Sequence, residues 1–271
     1  MNTNQPMSPV SDTAFFCCGI RELDAASQHP ICNDVYAKNF MTEEGRKAFN
    51  KYQPGYFARG LNFARPKIID NKVAAYIKEN PKLKIILIGA GFDSRAYRIA
   101  GGDWLEIDEV AVINHKNRYL PIEDCPNPLK RISINFSEDS LADILHEQSS
   151  SQEYLYIVEG VFMYLEVDEI NSLLAAIKKA KGKHTLLCDL MTHSFINNFG
   201  KSSKKLFDES GAVIKCQTDK PESIFTDYGY ILRDEVSILE SAIQYGSIKF
   251  PRLLTLKKMR KGFRVMHFKL G

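Results

Sequence analysis

Residues 84–98 read KIILIGAGFDSRAYR. Positions 85–89 hold only apolar residues and glycine, the pattern of a strand buried on both faces of a parallel sheet. The run ends at Gly89-Ala90-Gly91 and passes into polar, turn-prone Asp93-Ser94. A glycine turn after such a strand lets backbone approach a ligand, because no Cβ blocks the way. In doubly wound α/β folds, ligands bind at the carboxyl ends of the strands. The dinucleotide fingerprint needs a third glycine, and position 94 is Ser, which speaks against a pyrophosphate cofactor and NAD-type hydride transfer. Downstream, residues 104–108 predict a second strand, with Glu106 and Asp108 on one face. Asp108, nearer the tip, is placed to accept hydrogen bonds from a ribose diol.

The chain has 271 residues, enough for one large α/β domain with a cap. Its formal charge of +3 gives no strong pull toward nucleic acid or anionic lipid. The six cysteines form no C-x-x-C pair, so neither a zinc nor a redox framework is expected. The polar first residues carry no apolar signal segment, and no stretch has the length of a membrane span. A reduced, cytoplasmic setting is expected.

Three segments in order carry a family likeness: GAGFDSRAYR at 89–98, WLEIDEVAVINHKNR at 104–118 and YIVEGVFMYLEVDEINSLL at 156–174. They resemble the leucine carboxyl methyltransferase family, a branch of the class I S-adenosyl-L-methionine (SAM) methyltransferases. The likeness runs from about residue 13 to about 189. It implies a Rossmann-like α/β fold with a seven-stranded, mostly parallel sheet and a helical lid. It also implies SAM as cofactor, with S-adenosyl-L-homocysteine (SAH) as product. The family holds a eukaryotic enzyme that methylates the terminal carboxylate of a protein phosphatase, and many shorter bacterial enzymes. Length aligns this chain with the bacterial branch and so with a small-molecule acceptor, without nucleic acid or membrane.

The likeness assigns roles residue by residue. Gly89, Ala90, Gly91, Asp93 and Asp108 line the cofactor. An arginine upstream of the glycine loop grips the methionyl carboxylate; Arg65 fits its spacing and Arg59, ending GYFAR, is the second candidate. A guanidinium suits the task, because its planar fork pairs with a carboxylate in two places. The family's acid at the third strand's tip binds the adenine amine; here Asn135 stands there, beside Phe136, and its carbonyl can still accept that N–H. Glu159, at the mouth of the fourth strand, matches the glutamate near the methionyl amine. A lone buried carboxylate is costly, so a cation beside it makes physical sense. Tyr164 and His193 are the candidates for shaping or deprotonating the acceptor.

Residues 1–65 are expected to be a helical lid, and 66–271 the cofactor domain with an insertion at about 191–250. Residues 1–10 read as a loose tail. Helices are expected over 13–26 with Ser11-Asp12 as cap, over 34–40, and over 42–52 with Thr42 as cap. Ala14, Phe15, Cys18, Leu23 and Ala26 are expected to form the apolar face of the first. Pro66 is expected to start a helix reaching residue 79. His115, Lys116 and Arg118 read as a solvated basic face. Ser137 is expected to begin the helix after the third strand, and residues 149–151 to form a loop. A hairpin is expected from strands at 253–259 and 263–270. A cavity between the lid and residues 191–230, above Glu159 and Asp189, is expected to receive the acceptor. The acceptor oxygen is expected to be a carboxylate, since no Asp–His pair is evident. The alternatives are a non-catalytic SAM- or nucleoside-binding module and a protein C-terminal carboxyl methyltransferase.

Overall fold

Lys84–Ile88 forms β1, between two parallel neighbours. Its side chains alternate: Ile85 and Leu87 enter one core, Ile86 and Ile88 the other. That double burial is what the unbroken apolar run requires. The computed structural model describes residues 7–52, 54–136, 138–148, 152–215, 218–251 and 255–270. β2 (Asp103–Glu109), β3 (Leu129–Ile134), β4 (Glu153–Val158), β5 (Lys183–Met191), β6 (Tyr230–Ser237) and β7 (Phe263–Leu270) join β1 in one sheet. The order is β3-β2-β1-β4-β5-β7-β6, and only the pairs made by β7 are antiparallel. The strand order reverses between β1 and β4, which opens a crevice at their carboxyl ends.

Helices α1 (Pro9–Ala25), α2 (Ala37–Phe40), α3 (Glu43–Tyr52) and α4 (Tyr56–Glu79) precede the sheet. α5 (Arg95–Arg98) and α6 (Val110–Tyr119) flank β2, and α7 (Leu141–Glu147) and α8 (Val167–Lys179) flank β4. α9 (His193–Phe199), α10 (Lys201–Glu209) and α11 (Pro221–Asp227) separate β5 from β6; α12 (Ile238–Gln244) and α13 (Lys257–Gly262) separate β6 from β7. One core packs Ile69 and Val73 of α4 with Leu239 of α12; the other packs Leu174 and Ile177 of α8 with Phe225 of α11.

Several expectations are corrected. Pro66 does not start a helix, because α4 runs unbroken through it. An interior proline costs about 3 kcal/mol. Burial of Ala64, Ile68, Ile69 and Val73 offsets that cost. A division at 65/66 therefore falls within one helix, and residues 191–250 include β6. α1 starts earlier than expected: Ser8, not Ser11, is its cap, its Oγ accepting the Ser11 N–H at 3.1 Å. Leu23 and Ala26 lie exposed, while Phe16, Gly19 and Ile20 are buried. Thr42 does cap α3, accepting the Gly45 N–H at 3.2 Å. Ala37–Phe40 is a single turn rather than a helix from 34. The expected hairpin does not form. β7 takes β6 as its outer partner, and Lys257–Gly262 is helical, as its lysines, methionine and arginine favour. Residues 1–6, Ser137, 149–151, 253–254 and Cys216 lie outside the described residues.

The basic face of α6 is solvated only in part: Arg118 is exposed and His115 half-buried, but Lys116 is not. Lys116 has no solvent exposure, and its ammonium lies 2.7 Å from Glu106. The Arg131 guanidinium reaches the same carboxylate oxygen at 2.8 Å. Glu106 is thus the counter-ion of two buried cations, and removing one partner of such a group leaves uncompensated charge. Glu106→Gln is expected to lower unfolding free energy by about 3–5 kcal/mol. Urea denaturation measures this; a midpoint equal to that of the parent would refute it.

Candidate active site

A cavity of about 950 Å³ lies over the carboxyl ends of β1, β2 and β4. Its floor includes Leu87 to Asp93 and Glu159, and its roof includes Thr13, Ala14 and Cys17 of α1. Gly211, Val213 and Lys215, beyond α10, close the far side. It lies between the lid and the segment after β5, with Glu159 but not Asp189 on its wall.

The loop after β1 explains its glycines. Gly89 has φ +69°, and a Cβ there would meet Val161 Cγ2 at 2.5 Å. The Gly91 N–H donates to Asp108 at 2.6 Å, which ties the tip of β2 to the loop. The other Asp108 oxygen accepts the Glu109 N–H at 2.7 Å. Burial pushes the Asp108 carboxyl up to about 6, against the pull of those two N–H groups. Phe92 then leaves the loop and stacks on Phe40 at 5.1 Å, with Phe15 of α1 at 4.7 Å. The roof is thereby docked on the same loop that lines the floor.

A second group of charges sits under the other end of the cavity. Arg65, buried in α4, donates from Nε to Glu159 at 2.9 Å and from Nη1 to Asp189 at 3.2 Å. Its Nη2 lies 3.4 Å from Cys17 Sγ. Burial works against its charge, and Asp189 and Glu159 more than restore it. Glu159 has cations beside it, and they are two arginines of the chain itself. Arg95 reaches its second oxygen at 2.8 Å. Burial raises the Glu159 pKa, but Arg95 and Arg65 together hold it below the usual carboxylate range. Arg95 also pairs with Asp93 and, at 2.6 Å, with Asp70 of α4. Asp93 and Asp189 are both pushed up by burial, with Arg95 and Arg65 opposing. Two arginines thus fix acids drawn from the loop after β1 and the tips of β4 and β5.

Most of the sequence candidates converge on this cavity: Arg65, Gly89, Ala90, Gly91, Asp93, Asp108, Phe136, Glu159 and Tyr164 all line it. Arg59 does not line it and is partly exposed on α4. Asn135 is off the wall; its backbone N–H donates to Asp139, and Asp139 lines the cavity in its place. His193 opens α9, is exposed and is absent from the wall, so it is not placed to take a proton there. Its backbone N–H is held by the Thr218 carbonyl at 3.0 Å. Sequence reasoning did not single out Arg95, Cys17 or Lys215. Arg95 had a signal, since it follows Asp93 by two residues in the same turn.

The strand order, glycine loop and crevice define a class I methyltransferase fold. The structure matches a duf574 family protein from Streptomyces avermitilis MA-4680 with a TM-score of 0.61 at 11% identity, covering 100% of this chain and 99% of that one. It matches magnesium protoporphyrin IX methyltransferase of Synechocystis PCC 6803, solved with SAH bound, with a TM-score of 0.51 at 12% identity, covering 86% and 97%. The leucine carboxyl methyltransferase profile matches residues 14–178, and the chain belongs to that family. A Mycolicibacterium smegmatis relative is 28% identical over 185 residues, 62% of each chain. A second, from Streptomyces avermitilis, is 28% identical over 260 residues, 88% of this chain and 89% of that one. Both bear the name "Putative S-adenosyl-L-methionine-dependent methyltransferase". The match to the M. smegmatis relative spans somewhat less than two thirds of its length. No helix among the described residues is long and apolar enough to cross a membrane.

Two outcomes are expected from this geometry. An unfolded aspartate titrates near 3.8, so between there and about 6 the folded chain holds the Asp108 proton more tightly. Stability of the unliganded protein falls as pH rises through that window. SAH affinity is expected to move the other way if ribose hydroxyls donate to the ionised Asp108 carboxylate. It is expected to be about tenfold higher at pH 7.5 than at pH 5, and Asp108→Asn flattens the profile. Urea denaturation across pH measures the first and calorimetric titration with SAH the second. In the same assay Arg65→Ala is expected to lose about 1.5–3 kcal/mol of affinity, Arg65→Lys part of that, and Arg59→Ala under about 0.5 kcal/mol. The reverse order would move the carboxylate grip to Arg59.

Proposed function

We propose that this chain transfers a methyl group from SAM to an oxygen of a small acceptor, and that the oxygen belongs to a carboxylate. One cavity carries the reading. It joins a glycine loop with its partner acid Asp108 to a buried arginine–glutamate pair, under a roof of helix α1. The residues fit the cofactor. The glycine loop brings backbone close, Asp108 offers acceptors to a ribose, and Arg65 and Glu159 offer opposite charges to an amino-acid end. The sulfonium supplies the reactivity when bound; the protein supplies alignment.

The acceptor side favours a group that is already ionised. Tyr164 is buried on the cavity wall, and burial raises its pKa, so its hydroxyl stays a neutral donor across ordinary pH. It can hold the non-reacting oxygen of a carboxylate, and it is poorly suited to remove a proton. A carboxylate needs no base near neutral pH. Its oxygen lone pair forms the new C–O bond as the methyl leaves sulfur, and the S–C pair returns to sulfur. The five described cysteines are free thiols, in keeping with a reduced, cytoplasmic setting.

The test is turnover of a panel of small carboxylic acids and phenols with SAM, read as SAH and as methyl ester or ether. Base-labile esters are expected. The rate stays flat from pH 6 to 9, and His193→Ala leaves it intact. A rate that climbs steeply over that range and collapses in His193→Ala would overturn the carboxylate reading. Binding of NAD without SAH would overturn the cofactor.

A further inference from the structure

This inference rests on the methyl-transfer reading and concerns the space that reading leaves for the acceptor. Cavities for one small molecule span roughly 300–1,000 Å³. At about 950 Å³ this one is at the upper end and accommodates a second molecule beside the cofactor. Three of its wall residues are large apolar side chains facing solvent: Val10 (42% exposed), Phe136 (49%) and Val213 (47%). They come from α1, from the tip of β3 and from the segment after α10. One exposed apolar side chain is ordinary; three converging on one cavity from separate segments mark a surface that an apolar body covers.

The charges on the same wall are one-sided. Glu109, Asp139, Asp168 and Glu169 line it, with Asp139, Asp168 and Glu169 exposed. Lys215 is the one lysine among the described wall residues, and its ammonium lies 3.2 Å from Glu169 and 3.9 Å from Glu166, so that it offsets Glu169 and leaves Glu109, Asp139 and Asp168 as the remaining acids of the rim. The two wall arginines are paired as well, Arg21 with Asp34 at 2.9 Å and Arg65 with Glu159 at 2.9 Å. Like charges facing each other across an interface suppress the wrong partner.

We propose that the acceptor is a one-ended amphiphile. Its reacting group lies inside, beside Tyr164, and its apolar body runs out past Val10, Phe136 and Val213. Its far end carries no negative charge. A dicarboxylate, or an acceptor with a distal phosphate, is rejected by the acidic rim, whereas a neutral or ammonium end is accepted.

The probes are octanoate, dodecanoate and dodecanedioate, titrated calorimetrically into the full chain with and without saturating SAH. Each added methylene buried in the mouth tightens binding. Dodecanoate is expected to bind at least about tenfold more tightly than octanoate, and dodecanedioate at least about tenfold more weakly than dodecanoate. Val213→Asp brings the dodecanoate affinity back to that of octanoate; Phe136→Ser does the same if the first variant melts early. Equal affinities for the two monoacids, a diacid as tight as dodecanoate, or no binding of any probe at 1 mM overturns the proposal. Failure of the methyl-transfer reading shows separately, as absence of SAH binding, and the comparison of probes is then read from the titrations without SAH.

Discussion

The site hangs on two buried arginines. Arg65 and Arg95 grip Glu159 from both sides, and each holds a further acid, Asp189 and Asp93. Desolvating a guanidinium is costly, and the cost is met only where geometry is good and each charge is answered. Here the answering acids come from the loop after β1 and from the tips of β4 and β5, while Asp70 of α4 anchors Arg95 from below. Once these pairs form, the relative heights of three strand ends and one long helix are set. The cavity wall is therefore a by-product of charge compensation in the core beneath it.

The same arrangement divides labour between two kinds of group. Glu159 is kept ionised by the arginines at its oxygens, whereas Asp108, held only by backbone N–H groups, is pushed up by burial to about 6. One acid is a fixed charge beneath the cavity. The other, at the tip of β2, responds to pH. Tyr164 stays neutral beside them because burial raises its pKa by more than Thr13 and Arg65 lower it.

Much of this was legible in the sequence because it is local. The apolar run of β1, the glycine turn and the acid two strand positions beyond Glu106 are patterns of neighbouring residues. Arg65 was reached by spacing from the glycine loop. What escaped depends on the fold. Lys116 looks like a surface lysine until β2 and β3 bring Glu106 and Arg131 to it. Pro66 reads as a helix start because its local cost is plain, whereas the burial that offsets it is tertiary. The partner of β7 could not be found nearby, since β6 pairs with it across two intervening helices. His193 follows a central strand, yet the turn into α9 carries its side chain outward, a choice made by backbone that the sequence does not display.

Phe92 stacks on Phe40 and lies against Phe15, immediately after the two glycines of the cofactor loop. The loop and the roof are therefore not independent bodies. Any free energy with which an occupant orders the loop is shared with the helices above it, and thermodynamic reciprocity requires the roof to return the same amount. The first helices of this chain are consequently part of its affinity for whatever the loop holds, through the loop as well as through the α1 residues that line the space.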